Sequence, residues 1–159
     1  MRTRKPTTIL VPTDFSPCAR AAMKVAIGLG ERFGARVEAV HAWEPPSYVV
    51  PDVPLVMPHE PKLTLRKYIE REARSALDRF LDETGAAAAG IGGRLVPGHP
   101  ADAVLDLARD EGFDLIVLGV TPRRGIPHLH VGGVAHKVLR RAPCPVMTVR
   151  CPAEGAGDR

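Results

Sequence analysis

FDLIVLGVTPRRGIPHLHVGGVAHKVLR, residues 113–140, joins a short apolar run to a helical pattern through a glycine-punctuated loop. Phe113 to Leu118 is continuously apolar but for Asp114 and contains branched residues, which predicts a strand buried on both faces of a parallel sheet. After the loop, Val134, Ala135, Val138 and Leu139 recur at helical spacing. Sheets of this kind hold ligands just beyond the carboxyl ends of their strands. The loop therefore stands where main-chain N–H groups and a helix N-terminus can meet an anion, with phosphate the first ligand to consider. It is neither GxxxxGK[ST] nor GxGxxG. Pro122 has no N–H to offer, and Gly133, at the expected helix start, has no hydroxyl for a cap or a phosphate oxygen.

Working outward, Thr7 to Val11 is β-branched and apolar and predicts the first, central strand. Ser16 followed by Pro17 predicts a helix start, and Gly34 its close. Asp14 falls on the connection between them. Its carboxylate can accept hydrogen bonds from ribose hydroxyls, or hold the loop as an Asx-turn acceptor, or do both. Arg36 to Trp43 predicts the second strand, with His41 inside it as a satisfied imidazole rather than a catalytic one. Residues 44–61 are proline-rich and lack a period, while Tyr48, Val49, Val50, Leu55, Val56 and Met57 predict that the segment packs on something. Leu63 to Thr84 carries a helical stripe (Leu65, Ile69, Ala73, Ala76, Leu77, Phe80) opposite a charged face, with Gly85 as its stop. AAAAGIGG, residues 86–93, is expected to be a flexible connection. GRLVPG predicts a weak edge strand, Pro100 opens a helix, and Val146 to Val149 is the last strand. Cys151 to Arg159 has no apolar pattern and is expected to fray. This βαβα alternation predicts an α/β fold, an open five-stranded parallel sheet with helices on both faces, Rossmann-like.

At 159 residues and 45% hydrophobic content, the chain suits one well-buried core. The net charge of +4 is scattered among acids, and aromatics are only 4%, which argues against nucleic acid as a partner. The basic N-terminus is followed by too short an apolar run for a secretory signal, and no stretch is long enough to span a bilayer. Cys18, Cys144 and Cys151 have no CxxC spacing and do not read as a disulfide framework. These features predict a reduced, cytoplasmic protein with no membrane partner.

VPTDFS (Val11 to Ser16), the loop at 119–133 and APCPVMTV (Ala142 to Val149) together resemble the universal stress protein family. The resemblance runs over roughly residues 5–150 and implies a unit at 1–150 with a tail at 151–159. It implies a sheet order of 3-2-1-4-5, with Asp14 and Gly119 leaving adjacent strands across a crevice, and a homodimer. Many members bind ATP through Gly-x2-Gly-x9-Gly-Ser/Thr. Gly119 and Gly132 match the first and third glycines, whereas Pro122 replaces the second and Gly133 the Ser/Thr. Asp14, with Pro12 and Thr13 beside it, matches the ribose-contacting position, and Ala42 stands where a Val main chain meets adenine. The base and ribose side is thus expected to be intact and the triphosphate side impaired.

The expected ligand is ATP, ADP or AMP, with Gly119, Gly132, Gly133, Val134 and the helix start as cradle. Arg123 and Arg124 can replace lost N–H contacts through charge-assisted bonds. In the alternative reading, the paired glycines Gly132 and Gly133 serve only close packing, leaving an adaptor dimer that acts through protein partners under stress. His128, His130 and His136 could together hold a metal, but their spacing is no established signature, and rim or interface histidines are the expected reading. Cys18, in the first turn of a helix where thiolate is favoured, raises a redox role that lacks a resolving cysteine nearby in sequence. No spacing supports a catalytic centre, so a non-enzyme is expected.

Overall fold

A computed structural model describes residues 5–44, 54–55, 59, 63–121 and 133–151. The elements run β1 (Thr8–Pro12), α1 (Pro17–Phe33), β2 (Arg36–Trp43), α2 (Leu65–Thr84), β3 (Gly92–Pro97), α3 (Pro100–Asp110), β4 (Leu115–Val120), α4 (Gly133–Arg141) and β5 (Val146–Arg150). The five strands form one sheet in the order β3-β2-β1-β4-β5, and every pairing is parallel. The chain is therefore the doubly wound α/β sheet that the alternation predicts.

The apolar runs are continuous because alternate residues feed two cores. Ile9 and Val11 of β1, with Val117 of β4, pack with Ala22 and Met23 of α1 and Leu77, Phe80 and Leu81 of α2. Leu10, Ile116, Leu118 and Val120 point the other way, against Ala101 and Val104 of α3 and Ala135 and Val138 of α4. Ile9, Leu10, Ile116 and Val117 are fully buried. Each side chain of this size contributes roughly 1.5–3 kcal/mol by leaving water.

The helix ends follow the sequence signals. Ser16 Oγ accepts from Ala19 N at 3.2 Å, and Gly34, at φ 66°, closes α1 with its N–H on the Gly30 carbonyl. Thr64 caps α2 in the same way. The stripe of α2 is buried only in its second half, at Leu77, Phe80, Leu81 and Thr84. Its first turns lie half-buried beside an isolated antiparallel bridge, Pro54 to Thr64, where Leu55 N donates to Leu63 O at 2.8 Å. Apart from Glu44 and His59, the rest of the proline-rich segment lies outside the described residues.

Two expectations need correction. The alanine-rich connection is a hydrogen-bonded turn: Ala87 N donates to Leu81 O and Ile91 N to Ala86 O. Ala86 is fully buried there, because a methyl group is small enough to tuck under the helix end. The cysteines also pair, Cys18 with Cys151, across 133 positions of sequence at a Cα separation of 4.7 Å. Local spacing does not show such a pair. In a parallel sheet, however, helix N-termini and strand carboxyl ends share one rim, and that places them together. Cys151 is thus tied down, while residues 152–159 lie outside the described part.

Candidate functional site

The rim of the sheet above β1 and β4 opens into a crevice of about 480 Å³, a size suited to a small-molecule ligand. This is where the strand order reverses: β1 pairs with β2 on one side and β4 on the other. Pro12, Thr13, Asp14, Ala42, Gly119, Gly133 and Val134 all line it. Arg123 and Gly132, with Pro122, Arg124, His128 and His130, lie outside the described residues.

The β1 side is built by the fold's own hydrogen bonds. Thr13 is buried; its N–H donates to Val40 O at 2.9 Å, and its Oγ1 accepts from Phe15 N at 2.9 Å. Asp14 is exposed, and its Oδ1 accepts from Ser16 N at 3.0 Å, the Asx-turn arrangement. Among the described residues, no hydrogen bond reaches Oδ2. Phe15 takes φ 64°, an uncommon conformation for an aromatic residue. Its surroundings hold it there. The ring lies 4.3 Å from the His41 ring and 5.8 Å from Phe80, and its carbonyl accepts from Arg20 Nη1. Arg20 in turn pairs with Glu83 of α2 at 2.7 Å.

His41 is the satisfied imidazole that the sequence predicts, and it is also a lining residue. Its Nδ1 meets the Thr13 carbonyl at 2.8 Å, so the imidazole is satisfied, yet it also lines the crevice. The signal available was its position at the carboxyl end of β2, next to Ala42. Thr121 and Pro100 were also missed; both immediately follow or begin elements on the same rim.

On the β4 side, Gly119 serves close packing. A Cβ there would lie 2.3 Å from the Cys18 carbonyl oxygen, so only glycine lets β4 and the first turn of α1 approach this closely. Gly133, at the start of α4, is exposed, and a Cβ there would meet nothing within 4 Å. Val134 beside it is 36% exposed. No lysine or arginine lines the crevice among the described residues. Lys137 of α4 is engaged by Asp102 of α3 at 2.7 Å, and this hydrogen bond holds the Asp102 carboxyl below its usual range. Among the described residues, no group of three His, Cys, Asp or Glu side chains could hold a metal ion, and no helix is long and apolar enough to cross a membrane.

The arrangement offers an apolar slot between β2 and α3, a carboxylate on one wall and a helix start on the other. Comparison with known proteins gives that geometry a lineage. A universal stress protein of Thermus aquaticus is 35% identical over 150 residues, 90% of this chain and 98% of that protein. Among solved structures, a universal stress protein in complex with cAMP superposes with a TM-score of 0.64 at 22% identity, over 94% of this chain and all of that one. A universal stress protein of Archaeoglobus fulgidus in complex with dAMP gives 0.58 at 20% identity, over 92% of this chain and 99% of that one. These two likenesses concern the fold. The model of the universal stress protein family matches residues 6–150, and with the match running from the start of β1 to the end of β5, the chain belongs to that family.

Proposed function

We propose that the crevice binds an adenine nucleotide and that the protein is a non-enzymatic, homodimeric stress-response regulator of the cytoplasm whose phosphate cradle is impaired. The observation that carries this reading is the convergence of Asp14, Ala42 and the start of α4 on one cavity at the switch point. Two similar structures hold cAMP and dAMP. In this reading Asp14 Oδ2 takes the ribose hydroxyls while Oδ1 keeps the turn. The Ala42 main chain meets the base. Gly119, Gly132, Gly133 and Val134 face the phosphate, with Arg123 as its cation. A cradle with Pro122 and without a Ser/Thr hydroxyl favours one phosphate over three, so AMP and ADP bind at least as well as ATP. Calorimetry with AMP, ADP and ATP at millimolar concentration tests this. Heat and a rise in melting temperature for AMP are expected, with Asp14→Ala weakening AMP binding about tenfold, the loss of a charge-assisted pair. Absence of heat with all three removes the nucleotide reading.

A second reading, a nucleotide-free adaptor dimer, has its own support. Met147 of β5 and Leu139 of α4 are each 38% exposed, and β5 is the sheet edge next to β4. Apolar side chains beside an edge strand suit contact with protein.

A further inference from the structure

We propose that Cys18 and Cys151 form a reversible thiol-oxidation site whose disulfide fastens the end of the edge strand β5 to the mouth of the crevice. The two residues come from opposite ends of the chain, and the fold alone brings them to a Cα separation of 4.7 Å, inside the range a disulfide needs. Their anchorage differs. Cys18 is 4% exposed in the first turn of α1, and its carbonyl is pressed on Gly119 of β4. That backbone stays in place whether or not the sulfur is bonded. Cys151 is half-buried and immediately follows the outermost strand, which among the described residues has a paired neighbour only at β4. Reduction therefore releases the β5 end and leaves α1 where it is.

The site borders the crevice directly. Ala19, the neighbour of Cys18, lines it, as does Thr121, whose Oγ1 lies 3.5 Å from Cys18 Sγ. The chemistry divides between the two sulfurs by exposure. Cys151, the more accessible, attacks a small-molecule disulfide as thiolate. The disulfide's S–S bond breaks, and one small thiolate leaves and takes up a proton. Cys18, in the first turn of α1, then gives up its proton, attacks Cys151 Sγ and expels the second small thiol. The protein pair gives up two protons and two electrons, and the small disulfide accepts both to become two thiols. Cys144 takes no part: it is free, and burial pushes its thiol pKa up, which keeps it protonated and slow.

The test incubates the full chain, without nucleotide, in glutathione buffers from fully reduced to fully oxidised, and counts maleimide adducts by mass after acid quench and denaturation. Loss of two adducts together within one chain, prevented by Cys18→Ser or Cys151→Ser and unaffected by Cys144→Ser, is the expected result. Hydrogen exchange of residues 146–151 should slow several-fold on oxidation while that of α1 stays unchanged. Should Cys18→Ser fail to fold, Cys151→Ser carries the comparison. Retention of all three adducts at the oxidising limit, cross-links only between chains, or equal exchange of 146–151 in both states would overturn the proposal. The nucleotide reading stands or falls separately: an AMP-induced rise in melting temperature is measured in each redox state, and its absence from both counts against that reading alone.

Discussion

An alanine at position 119 would set its Cβ 2.3 Å from the Cys18 carbonyl oxygen and 2.7 Å from Ala19 N. Both are main-chain atoms of a helix, so no side-chain rotation relieves the clash. Gly119→Ala is expected to cost about 3 kcal/mol, at the upper end for overpacking, seen as a lower urea midpoint at an unchanged m-value. A loss below roughly 0.5 kcal/mol would mean that α1 and β4 are less tightly apposed. Gly133→Ser has open space before it and should leave stability almost unchanged. The contrast bears on what the sequence makes legible. Motif spacing brings Gly119 and Gly133 forward together as cradle residues, yet spacing alone does not distinguish a glycine required by a neighbouring backbone from one that faces open space. His41 reads correctly as a satisfied imidazole, but its pattern within a strand does not announce that the carboxyl end of β2 is also crevice wall.

At the scale of elements, the starts of β1 and β4 are held together by one carboxylate. Asp114 Oδ2 accepts from Thr7 N at 2.9 Å, Thr7 Oγ1 at 2.5 Å, Thr8 N at 3.1 Å and Thr8 Oγ1 at 3.2 Å. The Thr7 hydroxyl and N–H, foremost, hold the Asp114 pKa at about 2 against an ordinary 3.8. Because the folded chain binds this proton less readily than the unfolded one, the clamp stabilises fully above pH 4, and its contribution is lost as pH falls toward 2. Thermal melts between pH 5 and pH 2 should show a decline that is shallower in Asp114→Asn; equal slopes would assign the acid lability to other carboxylates. Caps and strands were readable because each is announced within a few residues: Ser16 with Pro17, Gly34, and the apolar runs. The first turns of α2 were not, since their stripe is apolar while their burial depends on a segment with no period of its own. The same limit applies to α4, where Val134 and Leu139 continue the apolar pattern onto the exposed side.

For the whole molecule, the alternation of elements predicts the open parallel sheet, and the order β3-β2-β1-β4-β5 is the one the family resemblance implies. The Cys18 to Cys151 contact did not, because it is a property of the closed fold and of no window of sequence. The outer edge of β5 bears on assembly. Its main-chain groups face away from β4, and with Met147 exposed beside them they suit a second copy of the chain. Sedimentation velocity of the native protein is expected to give a dimer at micromolar concentration, and Met147→Lys to shift it toward monomer without loss of helical signal. A native monomer would set the dimer reading aside.

The strand at the middle of the sheet is also the first of the five to leave the ribosome. β1 can pair with β2 early, but its other side waits for β4, so the nascent chain carries a greasy open flank until β4 has been synthesised. The wall bearing Asp14 emerges with β1 and the one bearing Gly133 only with α4. A chain that has yet to reach α4 presents one wall without the other.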